Sequence, residues 1–397
     1  MKEPMTNTTQ LPNSDPIKIL LAPAWSGTRP INSILRRVNA FPLFVMSAAL
    51  ILAQPCAATP FQWDFTGSLN TERSRHTATL LTDGTVLVAG GTSNEENDLA
   101  SSEVYDPASE AWTLTGHLRT ARNGHTASLL LSGQVLVAGG EATGAAIASA
   151  ELYDPSSGTW RATGNLNRAR HWHTATLLSD GRVLVVGGVP QAELYDPAKR
   201  KWRLAGSLNT ARFFHTAILL PDGKVLVAGG NDNRGQPYSS AELYDPVSRT
   251  WSFTGSMNAA RTDHTATLLP DGRVLVAGGS DGTDGQYAST EIYDPATGTW
   301  SLTGDLVTAR FEQTAISLPD GKVLIAGGLR HDLVVELESA EVYDPATGIW
   351  SSTGTLNVAR GRFPATLLPD GKVLVEGGNS PDIFTTESAE LYDPGTD

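Results

Sequence analysis

From residue 61 onward, short apolar runs alternate with brief polar turns, and long apolar stretches at helical three-and-four spacing are missing. Four segments recur in fixed order; between His215 and Gly255 they read HTAILL, KVLVAGG, AELYDP and TWSFTG. Their shortness and β-branched content predict four strands per repeat. Between the first and second segments stand Asp83-Gly84, Asp180-Gly181, Asp222-Gly223, Asp271-Gly272, Asp320-Gly321 and Asp370-Gly371, with Ser132-Gly133 in the remaining copy. Glycine there supplies the positive φ of a tight hairpin. Between the third and fourth segments, YDP starts a turn with Asp and follows it with the pre-set φ of Pro.

Trp63, Trp112, Trp160, Trp202, Trp251, Trp300 and Trp350 fall 42 to 50 residues apart, the period of a propeller blade. Each of seven copies also carries a double glycine after its second segment, from Gly90-Gly91 to Gly377-Gly378, and a tyrosine in its third, from Tyr105 to Tyr392. In these marks the chain resembles the kelch-repeat family from about residue 61 to its end. The resemblance implies an all-β fold, a seven-bladed β-propeller of four-stranded antiparallel kelch-type blades. The last copy stops at LYDPGTD without a fourth strand, while FQWDFTG near residue 61 is a fourth strand without the other three. Pairing the two closes the ring through the N-terminal strand and removes open sheet edges.

The first 58 residues change the picture. Arg36 and Arg37 precede an apolar run from Ala40 to Ala53, followed by the small residues Ala57 and Ala58, the pattern of a secretory signal peptide with its core at about 34–58. The run is shorter than the roughly 20 residues of a membrane span. The expected organisation is a leader over 1–58 and a propeller over 60–397, with the product secreted to an extracellular or periplasmic space and no stable membrane insertion after cleavage. Cys56 is the only cysteine, so cleavage after Ala58 leaves no thiol for disulfides, metal sites or catalysis. Residues 1–59 hold five basic and two acidic residues; 24 basic against 40 acidic remain, a net charge of −16. That sign opposes nucleic acid and anionic membranes as partners.

Candidate chemistry belongs to the face that receives the second-to-third loops and the links between blades, because those segments vary most: NDNRGQPYSS, SDGTDGQYAS, LRHDLVVELES and a bare VP in blade three. Two series recur in every blade: the link arginines Arg73, Arg122, Arg170, Arg212, Arg261, Arg310 and Arg360, and the third-strand glutamates Glu103, Glu151, Glu193, Glu242, Glu291, Glu341 and Glu390. A group present in every unit reads as a structural clamp, with the modest energy of exposed ion pairs, about 0.2–1 kcal/mol each. Histidine opens the first strand at positions 76, 125, 173, 215 and 264, replaced by Gln313 and Phe363. A position that accepts phenylalanine points to packing rather than to a metal.

Two residues per link differ in every blade: Ser74-Arg75, Asn123-Gly124, His171-Trp172, Phe213-Phe214, Thr262-Asp263, Phe311-Glu312 and Gly361-Arg362. From these, Trp172, Phe213, Phe214, Phe311, Asp263, Glu312, Arg75 and Arg362 are expected to bind a ligand, the aromatics stacking on a sugar ring or apolar side chain, the acids accepting hydrogen bonds and the arginines holding an anionic group. SDGTDGQ lacks calcium-loop spacing. Galactose oxidase contains a similar propeller, and that resemblance implies copper held by histidine and tyrosine with a tyrosine–cysteine cross-link, which a thiol-free chain cannot make. No catalytic constellation and no cofactor are identified. The expectation is a secreted binding or interaction module for an extracellular protein or glycan; the alternative is a carbohydrate-active hydrolase, lyase or non-radical oxidoreductase.

Overall fold

The computed structural model describes residues 61–95, 97–283, 285–331, 335–381 and 384–395. The proposed leader and Cys56 lie outside these residues. The described residues contain strands and turns and no helix, in seven four-stranded antiparallel sheets. Blade one consists of Thr77–Leu80, Val86–Ala89, Ser102–Asp106 and Ala111–Leu114, paired in that order. The next five repeat this plan. Innermost strands of neighbouring blades touch around a complete circuit, including blade seven against blade one.

Position in the blade explains the residue pattern. Second strands such as Val86–Ala89 and Val225–Ala228 are buried at every residue, because adjacent blades cover both sheet faces, and they read as continuous apolar runs rather than as alternation. Fourth strands such as Ala111–Leu114 bury only their tryptophan. That tryptophan lies opposite the YDP tyrosine: Tyr105 faces Trp112 and Tyr195 faces Trp202, with ring centroids 5.0 Å apart in both pairs. The core is accordingly a series of clusters between blades, one of which packs Leu69, Val86, Val88 and Tyr105 of the first blade against Leu374 and Leu391 of the last.

Closure follows the expected route. Trp63–Phe65 forms the outer strand on Ala389–Tyr392, with Trp63 opposite Tyr392 and Phe65 opposite Glu390. The Trp63 indole N–H donates to the Gly354 carbonyl at 2.9 Å, just as Trp112 donates to Gly67 and Trp300 to Gly255. The seam thus uses the same tryptophan contact as blades one and five.

The clamp reading holds in geometry but needs a correction in energy. All seven arginines reach their glutamates, at 2.7–2.9 Å, and every member is buried, so the energetics of exposed pairs do not apply. Arg73 also donates to the carbonyls of Gly90 and Ser101, while Glu103 accepts from the backbone N–H groups of Asn70 and Thr71. One ion pair therefore fastens the link, the double glycine and the third strand together. Removing either partner leaves a buried charge, which costs about 3–5 kcal/mol.

Candidate functional site

The two variable residues of each link take different paths. The first bridges to the backbone beyond the double glycine, as Ser74 does to Thr92, Phe213 to Asn231, Thr262 to Ser280 and Phe311 to Leu329. The second adopts a left-handed conformation in all seven blades: Arg75, Gly124, Trp172, Phe214, Asp263, Glu312 and Arg362 have φ between 50° and 59°. These second residues form a ring. The N–H of Gly124 donates to Arg75, Trp172 to Gly124, Asp263 to Phe214, Glu312 to Asp263, Arg362 to Glu312 and Arg75 to Arg362, at 3.1–3.3 Å between backbone N and O. Between Trp172 and Phe214 the side chains stack, with centroids 5.4 Å apart and planes 28° from parallel.

Left-handed backbone costs a non-glycine residue about 1 kcal/mol or more. Six of the seven positions nonetheless keep a side chain, and all seven residues line one cavity of about 510 Å³. The one glycine has a visible reason: a Cβ on Gly124 would lie 3.2 Å from three ring carbons of Trp172, so the indole occupies the space above it. Arg75 lies over the same indole, 5.4 Å from its centroid.

The cavity gathers six of the eight proposed ligand-binding residues: Trp172, Phe214, Asp263, Glu312, Arg75 and Arg362. Phe213 and Phe311 do not line it. Phe311 is buried and stacks on His331 at 4.4 Å, and Phe213 meets the edge of His171. Glu141 joins the lining from the second-to-third loop of blade two and pairs with His171 at 2.9 Å. Nothing in the repeat marked Glu141, since that loop differs in every blade. Glu312 is paired with Arg362 at 2.5 Å. Burial, reinforced by the nearby Glu312 charge, pushes the Asp263 carboxyl up to about 7.

Beneath the ring, the opening histidines join blades. Nε2 of His125 is hydrogen-bonded to Thr77 Oγ1 of the preceding blade at 3.0 Å, and His173 to Thr126, His215 to Thr174 and His264 to Thr216 repeat the contact at 2.9–3.1 Å. Burial, with the adjacent clamp arginine, lowers His125, His215 and His264 to about 3, so they are neutral at pH 7. Gln313 instead donates to the Ala277 carbonyl, and Phe363 packs into a core cluster. His76, at the seam, meets Glu376 with Nε2 and Oε1 3.7 Å apart. Glu376 stands where other blades have alanine or valine, and it is a residue that sequence reasoning passed over.

Among the described residues, no group of three or more His, Cys, Asp or Glu could share a metal ion. None of the nine tyrosines lines the cavity; those of the repeat pack on tryptophan, and six of the seven also bond a threonine hydroxyl, as Tyr105 does Thr66. This donor set does not fit the copper centre that a galactose-oxidase-like propeller implies.

Residues 191–378 match the family model described as the KLHDC2/KLHL20/DRC7 Kelch-repeats domain. No curated protein matches the chain. Among solved structures, a fungal alcohol oxidase of the AA5 family, described in complex with copper, aligns with a TM-score of 0.70 at 19% identity over 84% of this chain and 76% of that one. At that identity the likeness shows the fold alone.

Proposed function

We propose, from the premise that this chain is a kelch-repeat β-propeller, that it is an exported binding module whose ligand, a carbohydrate, enters the cavity ringed by the seven left-handed link residues. The observation that carries the reading is the composition of that ring: a stacked Trp172–Phe214 wall on blades three and four, with Asp263, Glu312 and Arg362 following on blades five to seven. An aromatic pair beside a few converging polar groups suits a sugar, which offers a C–H face and a rim of hydroxyls. The cavity volume lies within the range of small-ligand sites.

A glycan array followed by calorimetry tests this. Trp172→Ala together with Phe214→Ala should weaken binding about 30-fold or more, the effect of losing an aromatic hot spot, while the melting temperature stays within a few degrees. Undiminished affinity in the double variant would move the site elsewhere. Turnover is the second reading, supported by Asp263, a carboxyl that keeps its proton up to about 7 beside a second carboxyl. New reducing ends or unsaturated products, lost in Asp263→Asn, would establish it; their absence with every glycan bound would reject it.

A further inference from the structure

The acids of the mouth are unequally matched. Glu312 is ion-paired with Arg362, and Glu141 is hydrogen-bonded to the His171 ring. Asp263 accepts a hydrogen bond from the Thr262 hydroxyl at 3.1 Å and, among the described residues, has no ion-pair partner. It follows Phe214 directly in the ring, their backbones joined at 3.2 Å. A partly buried carboxyl next to an aromatic wall calls for a cation: without one it keeps a proton, and an ammonium group supplies both the charge and a donor that π faces also attract.

We propose that the mouth selects an amino sugar, with its ring against Trp172 and Phe214 and its protonated amine on Asp263. This rests on the carbohydrate reading above and narrows it. Of the other charges facing the site, Glu312 opposes ionisation of Asp263 and Arg362, itself paired with Glu312, favours it; Arg75 is engaged over the Trp172 indole, and His125, His173 and His264 are neutral through burial. The chain's net charge of −13 favours approach of a cation.

Only ionised Asp263 pairs with the amine, so ligand binding and loss of its proton are coupled. Affinity for an amine should rise as pH climbs through about 7, and fall again where the amine itself deprotonates, at about 8 by analogy with an α-amino group. Neutral sugars should show no such rise.

The test is calorimetry on the full chain at pH 7.5 with three β-1,4-linked trisaccharides, of glucosamine, N-acetylglucosamine and glucose. The amine trimer should bind at least tenfold tighter than either neutral trimer. Asp263→Asn should abolish the preference for the amine trimer over the neutral ones, and Trp172→Ala should weaken all three. If Asp263→Asn fails to fold, the wild-type pH profile decides: the amine preference should shrink steadily from pH 7 to pH 5. Equal affinities, or a flat profile, overturn the amine assignment and leave the carbohydrate reading standing. Failure of all three trimers together with an empty glycan array overturns both. Asp263-dependent capture of a lysine-bearing peptide, with no sugar bound, would transfer the cation site to a protein ligand and overturn the amino-sugar proposal.

Discussion

The junction between blades one and two and the junction between blades seven and one occupy equivalent places, yet they solve one problem with different chemistry. At the first, His125 reaches back to Thr77, and Ala89 leaves room for the contact. At the second, the threonine position is Pro364, which has no hydroxyl, and the alanine position is Glu376. Both carboxyl oxygens of Glu376 and both ring nitrogens of His76 are buried without hydrogen-bond partners. Burial pushes Glu376 up to about 8, with Arg360 and Arg73 opposing, and holds His76 well below its ordinary value. Both groups are therefore neutral near pH 7. Where the chain is continuous a neutral hydrogen bond joins the blades; at the seam that bond is missing, and a buried carboxyl faces a buried imidazole instead.

The comparison is broken most severely by removing the closing strand. Deleting residues 61–67 takes Trp63 out of its cluster with Tyr392 and Leu356 and leaves the Ala389–Tyr392 edge bare. Loss of a core tryptophan alone costs about 3–5 kcal/mol, so the melting temperature should fall by roughly 10 °C or more. An unchanged value would mean that Trp63–Phe65 contributes nothing to closure.

Next in size is the clamp, which is alike at all seven junctions. Glu291→Ala strands Arg261 and should cost about 3–5 kcal/mol in urea titration, whereas Asp222→Ala, which breaks the exposed pair with Lys224, should cost less than about 1 kcal/mol. Equal losses at the two sites would show that burial does not set the energy of the pair.

The smallest effect sharpens the seam itself. Pro364→Thr with Glu376→Ala installs the ordinary junction, and removing a buried unpaired carboxyl should stabilise the protein by about 1–3 kcal/mol at pH 8. The gain has a sign in pH. Glu376 binds its proton more tightly folded than unfolded, so its contribution is fullest below its ordinary value of 4.5 and is lost as pH rises to about 8. The advantage of the double variant should therefore widen from pH 4.5 to 8 and then level. His76 works in the opposite sense, destabilising as pH falls below 6.5, and remains in both proteins. A gain independent of pH would remove Glu376 as its cause.

Much of this was legible before the fold was known, and the reason is locality. Asp-Gly and YDP turns, β-branched runs and the tryptophan period each act within a blade, so blade number, strand order and the pairing of Trp63 with the last sheet follow from repetition. The aromatic, acidic and basic link residues could be named for the same reason, as the changed positions in an otherwise constant sentence. Alternation could not say which of the two faces the mouth. Phe213 and Phe214 are the same residue type one position apart, and the left-handed turn at Phe214 separates them, sending one to the cavity and one to the loop backbone.

By itself, then, the sequence determined a closed seven-bladed ring and the positions on which its blades differ, because those depend on short-range patterns and their count. The tertiary structure decided three things. It buried all seven Arg–Glu clamps, turning a modest surface contact into one whose loss strands a charge. It brought six link side chains from different blades, with Gly124, around one cavity, and set Asp263 there with, among the described residues, no ion-pair partner of its own. It set Glu376 beside His76, 300 residues away along the chain. All three depend on which blades become neighbours and on what solvent is excluded between them, and neither is a property of any local stretch.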